Sequence, residues 1–134
     1  MSGETDLDIL LQSLSARLAE GVYVFVTLED GAVPAGLHPR MMFRETEGTT
    51  LILLKSEAEA QGLAFEFPCR MITLEVHSSL AAVGFIARIA SALARHGMGV
   101  NPVSGFYHDH LFVPEERAAD AMRILSDIAR GAGD

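Results

Sequence analysis

The chain has 134 residues, with ten Lys and Arg against eighteen Asp and Glu, and a formal net charge of −8. Hydrophobic residues make up 49% and charged residues 21%, a composition that builds a packed core and excludes a disordered or low-complexity chain. The acidic balance excludes a basic nucleic-acid face, the single lysine, Lys55, excludes a polybasic membrane patch, and the lone Cys69 excludes an intrachain disulfide and a cysteine-based zinc site.

Met1 to Asp8 is acidic, unlike the basic start of a signal peptide. No apolar run reaches the roughly 18–20 residues that span a bilayer. The expectation is a soluble, cytoplasmic protein. Residues 1–67 carry a net charge of −7 and residues 68–134 a net of −1. That asymmetry divides the chain into two modules, 1–67 and 68–134, joined near Pro68.

A first helix is predicted from Thr5, as N-cap, to Gly21. Asp6 and Asp8 favour its first turn, and Leu7, Leu10, Leu11, Leu14 and Leu18 share one face. Val22 to Leu28 reads as a strand apolar on both faces. Asp30 to Arg40, with two Gly and two Pro, reads as an irregular loop. Met41 to Glu45 and Thr50 to Leu54 form a hairpin around Glu47-Gly48. Ser56 caps a short helix to Gln61, and Leu63 to Phe67 is a short strand stopped by Pro68.

In the second half, Met71 to His77 alternates as a strand. Ser78 and Ser79 offer N-caps for a helix from about Leu80 to His96. Its stripes are Val83, Ile86, Ala87, Ala90, Leu93 and Ala94, then Phe85, Ile89 and Ala92, so the helix is expected to be covered on most sides. Asn101 to Tyr107 and Asp109 to Val113 pair as strands. Pro114 at N1 opens a last helix whose core face is Ala118, Ala121, Met122, Leu125, Ile128 and Ala129. Arg123 and Asp127 are spaced for an i, i+4 ion pair. Both halves follow one βαββαβ plan. The first has a loop where its first helix belongs; the second lacks its final strand and leaves an edge to be paired by the other copy or a second chain. The expected class is α+β: two ferredoxin-like modules with antiparallel sheets and helices on one face.

Two segments carry a family resemblance. Val83-Gly84-Phe85-Ile86-Ala87-Arg88-Ile89, entering a helix after a strand, resembles the glycine-containing strand–helix turn of ACT domains. Asn101-Pro-Val-Ser-Gly-Phe-Tyr-His-Asp-His-Leu-Phe-Val-Pro114, with Val76-His77-Ser78-Ser79-Leu80, is similar to small bacterial tandem-ACT proteins. It also resembles a strand region of the CASTOR-type arginine sensors. The match covers Met71 to Pro114, and the first half by element order alone. It implies sensing of an amino acid or other small ligand at an interface between ACT modules, in a homodimer. Gly84 corresponds to the turn glycine, and Gly105, Phe106 and Asp109 to ligand-contacting positions. The chain departs from the pattern in having no attached output domain and no first helix in its first module.

The residues supply a matching chemistry. A helix start near Leu80 presents unsatisfied N–H groups to a carboxylate, with Ser78 and Ser79 hydroxyls beside it. Asp109 is placed to accept an ammonium group, and Phe106 to wall the pocket. The candidate ligand set is Ser78, Ser79, Leu80, Val83, Gly84, Gly105, Phe106 and Asp109. The plain alternative has Ser79 capping the helix and Asp109 making a turn, because ACT modules also serve as bare dimerisation units. His108 and His110, with His77 on an adjacent strand end, form a conceivable metal site, but no second-shell pattern accompanies them. Cys69, beside Arg70, lacks any partner motif. No nucleophile elbow, phosphate loop or dinucleotide fingerprint is present, and Arg95-His96-Gly97-Met98-Gly99 does not have the glycine spacing of an acetyltransferase loop. The reading is a non-catalytic ligand-binding regulatory module with no cofactor. The alternatives are a ligand-free scaffold and, behind it, a histidine metal protein or an acyltransferase-like enzyme.

Overall fold

The computed structural model describes residues 6–76 and 82–131. Within them Asp6 caps helix α1 (Leu7–Gln12) by accepting from the Ile9 N–H at 3.2 Å. The helix ends after two turns because the Ser13 hydroxyl folds back onto the carbonyls of Ile9 and Leu10, at 2.9 and 3.2 Å. The predicted helix to Gly21 is therefore corrected: Leu14 is buried beyond the helix end, and Leu18 lies on a strand, β1 (Ala16–Leu18).

The chain then forms β2 (Tyr23–Leu28), β3 (Met41–Arg44), β4 (Thr49–Leu54), α2 (Lys55–Ala60) and β5 (Glu66–Leu74). After β5 come α3 (Phe85–Arg95), β6 (Asn101–Ser104), β7 (Asp109–Pro114), a 3-10 turn (Glu115–Arg117) and α4 (Ala118–Ala129). The described residues fall into two compact units. One is Gly21–Cys69; the other combines the described parts of Met1–Glu20 and Arg70–Asp134.

In the unit formed by Gly21–Cys69 the strand order is β3-β4-β2-β5, antiparallel throughout. Val24, Val26, Leu51, Leu53 and Ala58 make its core, and Leu37 from the irregular loop packs onto it. Helix α2 starts at Lys55 with Leu54 as its cap, so Ser56 sits inside the helix rather than capping it. The predicted break at Pro68 is also corrected: β5 runs through it. Phe67 and Pro68 stand opposite the single residue Val24, between the pairs Tyr23–Cys69 and Phe25–Glu66. Phe67 takes a left-handed φ of +58°. Such a bulge accommodates a proline that has no N–H to give a ladder.

In the other unit the order is β1-β5-β7-β6. β1 pairs antiparallel with β5 from Ala16–Leu74 to Leu18–Ile72, so residues 16–18 supply the final strand that the second βαββαβ copy lacks. The pairing is secured at both ends, by Ala19 N–H to the Met71 carbonyl at 2.9 Å and by Arg17 to Glu75 at 2.9 Å. Leu10, Leu11 and Leu14 join Ile72, Leu74, Phe85, Ile89, Leu93, Leu111 and Leu125 in the core. Each fully buried leucine is worth about 1.5–3 kcal/mol in removed apolar surface.

Helix α3 begins at Phe85, later than expected, with Gly84 as its cap. Val83 is 84% exposed, and Ala87 and Ala94 face solvent, so the first predicted stripe is partly wet. Pro114 closes β7 instead of opening α4. On α4, Arg123 pairs with Asp120 at 2.9 Å, not with Asp127, which Arg130 takes.

Candidate ligand site

The turn into α3 and the turn between β6 and β7 enclose a hollow of about 190 Å3. Ala82, Gly84, Phe85, Ile86 and Ala87 line one side; Ser104, Gly105, Tyr107, His108 and Asp109 line the other. Gly84 has φ +90°, a left-handed conformation that costs an L-residue about 1–2 kcal/mol. Its carbonyl accepts the first intrahelical bond, from Arg88 N–H at 2.9 Å. The N–H groups of Phe85, Ile86 and Ala87 precede that bond and have no acceptor within the helix, and the positive end of the helix dipole lies there.

Opposite, the β6–β7 turn is closed by Gly105 N–H donating to the His108 carbonyl at 2.9 Å. A Cβ on residue 105 would come within 3.1 Å of that oxygen, so glycine lets the turn close. The Ser104 hydroxyl donates to Asp109 Oδ1 at 2.6 Å and fixes the carboxylate at the mouth of the hollow. Asp109 begins β7 rather than making a free turn.

The structure thus brings together Gly84, Gly105 and Asp109 from the predicted set. Phe106 and Val83 are exposed and do not line the hollow; Phe106 meets Tyr107 edge to face, at 5.0 Å between ring centroids. Ser78, Ser79 and Leu80, like His77, lie outside the described residues. Tyr107, His108, Ser104, Phe85, Ile86 and Ala87 were missed as lining residues. The signal available for Tyr107 and His108 was their place in the four-residue connection Gly105–His108.

Of the candidate metal residues, His77 lies outside the described residues. His108 sits in the turn and His110 on β7, where its Nδ1 lies 3.0 Å from Thr73 Oγ1. Among the described residues no group of three or more His, Cys, Asp or Glu is placed to hold a metal ion. The Cys69 thiol is fully buried and donates to the Tyr23 carbonyl at 3.2 Å, which makes it a packing residue. No described helix is long and apolar enough to cross a membrane.

Comparison with known proteins gives this arrangement its family. One ACT-domain model matches residues 2–70 and a second matches residues 66–127. Among solved structures, a Vibrio cholerae protein of unknown function, described as a possible transport protein, is 44% identical. The match covers 92% of this chain and 95% of that one, with a TM-score of 0.84. An Agrobacterium tumefaciens protein is 19% identical over 87% of this chain and 89% of its own, with a TM-score of 0.74. The regulatory subunit of aspartate kinase from Thermus flavus shares the fold at 11% identity, over 86% of this chain and 95% of its own, with a TM-score of 0.61. No curated protein matches the chain. The two matched models are of one kind and neither is a catalytic family. The chain belongs to the ACT-domain family, with an ACT domain in each half.

Proposed function

We propose that this chain is a non-catalytic regulatory module that binds a small zwitterion, an amino acid, in the hollow between the start of α3 and the β6–β7 turn. The observation that carries the reading is the meeting there of amides lacking helical acceptors, at Phe85–Ala87, with a carboxylate held by Ser104, at Asp109. The amide end favours a carboxylate; Asp109 favours an ammonium group through a charge-assisted bond. A volume near 190 Å3 lies below the roughly 300–1,000 Å3 of drug-sized sites, which suits a metabolite of a few heavy atoms. The likeness in fold to a regulatory subunit of aspartate kinase supports a regulatory role.

The exposed Val83 and Phe106, next in sequence to lining residues, and the exposed lining residue Tyr107 favour a second copy covering the hollow. The protein then acts as a homodimer in the cytoplasm, with the ligand at the contact between ACT modules. Sedimentation equilibrium checks this, with Phe106→Ser expected to shift the population toward monomer.

The test of ligand binding is a thermal-shift panel of the standard amino acids at millimolar concentration. Binding at about one hundred times Kd adds about 2.7 kcal/mol, a melting rise on the order of 8–13 °C. Asp109→Asn removes the charge with the shape kept and should weaken binding more than about tenfold, the worth of a charge-assisted bond. Absence of any shift across the panel overturns the reading in favour of a ligand-free scaffold.

A further inference from the structure

The unit formed by Gly21–Cys69 holds a second, larger hollow, of about 510 Å3, which the proposed amino-acid site does not use. It opens at the end of β2, where the pairing with β5 stops at Phe25–Glu66 and the strand continues to Leu28 without that neighbour. Phe25 and Phe65 are half-buried in its wall, Thr27 and Thr50 add hydroxyls, and Glu29 and Glu66 stand exposed at its rim.

The charges here are one-sided. Neither glutamate has an ion-pair partner among the described residues, and no basic side chain lines the hollow. The rings are oriented by contacts outside it: Phe25 is held edge to face by Phe67, with centroids 5.7 Å apart. Phe65 also meets a cation within the chain, the Lys55 ammonium, 6.0 Å from its ring centre. Aromatic faces carry negative potential and attract soft cations such as alkylammonium groups, whose apolar surface they also bury. Carboxylates at the rim add Coulomb attraction.

We propose that this hollow is a binding site for a small alkylammonium cation, seated between Phe25 and Phe65 and neutralised by Glu29 and Glu66. The occupant is an organic cation rather than a metal ion, since two rings supply no metal ligand and the two carboxylates are the hollow's ionisable groups. It is also distinct from a zwitterion, for whose carboxylate the hollow offers no basic side chain.

The test titrates the full chain, followed by backbone amide NMR, with choline and with 3,3-dimethyl-1-butanol, which has the same shape without the charge. Choline should move the amides of Phe25–Glu29 and Ala64–Glu66 with saturation at millimolar concentration, and the neutral alcohol should bind at least tenfold more weakly. Glu29→Gln and Glu66→Gln alter exposed side chains, leave the fold intact, and together should weaken choline at least tenfold; raised salt should do the same. Equal binding of choline and the alcohol overturns the proposal, as does choline affinity unchanged in the double variant, or no saturable shift at these amides.

Discussion

Asp120 accepts hydrogen bonds from both Arg123 and Arg117, at 2.9 and 3.1 Å. These bonds, Arg123's first, hold its carboxyl below the ordinary carboxylate range. A carboxyl depressed in the folded state contributes stability above its unfolded pKa and loses it as pH falls through the folded value. The contribution is thus present at neutral pH and disappears in acid. Asp120→Asn should lower the melting temperature at pH 7 and leave it close to wild type below the carboxylate range, a difference that a pair of melting curves measures. The carboxylate is partly exposed to solvent, so salt should shrink the effect. Gly84 offers a second test. Its φ of +90° is what an alanine resists, while the Leu7 side chain, 3.6 Å from the position of a new Cβ, is at ordinary contact. Gly84→Ala should cost about 1–2 kcal/mol in denaturant unfolding. Gly99→Ala, with neither a left-handed φ nor a neighbour in its way, should be neutral or stabilising by about 0.4–1 kcal/mol.

The elements show where the sequence is legible and where it misleads. The β3–β4 hairpin and β2 are readable because Glu47-Gly48 marks the turn and β2 and β4 are short, mostly apolar runs that are largely buried. α1 was overextended for a physical reason. Leu14 and Leu18 keep the helical spacing of Leu10 and Leu11, yet a strand at 16–18 buries the same side of the chain once Ser13 has ended the helix. The break at Pro68 misled because a bulge with a left-handed Phe67 is not encoded by any glycine. The sequence points to two segments, 77–84 and 105–109, because each holds a glycine turn beside a strand or helix end; the hollow is lined from 82–87 and 104–109, which share Gly84, Gly105 and Asp109 with that expectation. Which side chains turn inward was not legible: Phe106 and Tyr107 are equal in sequence terms, and the turn geometry sends Tyr107 to the hollow and leaves Phe106 outside it. The N-terminal segment supplies a test at this scale. Leu14 is 7% exposed in the core joining α1, β1 and α4, so Leu14→Ala should cost about 2–5 kcal/mol. If residues 6–18 were a loose appendage, the substitution would leave the unfolding midpoint unchanged.

Over the whole molecule, the chain uses one ferredoxin-like plan twice; the first copy closes with its own last strand, and the second with a strand from the start of the chain. Glu66–Cys69 of β5 closes the sheet of β2, β3 and β4; Ala16–Leu18 closes the sheet of β5, β6 and β7. The two copies then diverge in the connection after their first strand. One copy has a loop there, at 29–40, and the other has α3, whose first amides have no acceptor within the helix, so the amide-plus-carboxylate site occurs in the copy that kept the helix. The central claim is that this site takes a zwitterion. Backbone amide NMR of the full chain, titrated with the standard amino acids, tests it most directly. The account predicts saturable shifts for one or a few of them, concentrated on the amides of Phe85–Ala87 and Gly105–Asp109 and lost in Asp109→Asn. Spectra unchanged at millimolar concentrations of every amino acid, or shifts gathered anywhere but those two turns, would contradict it.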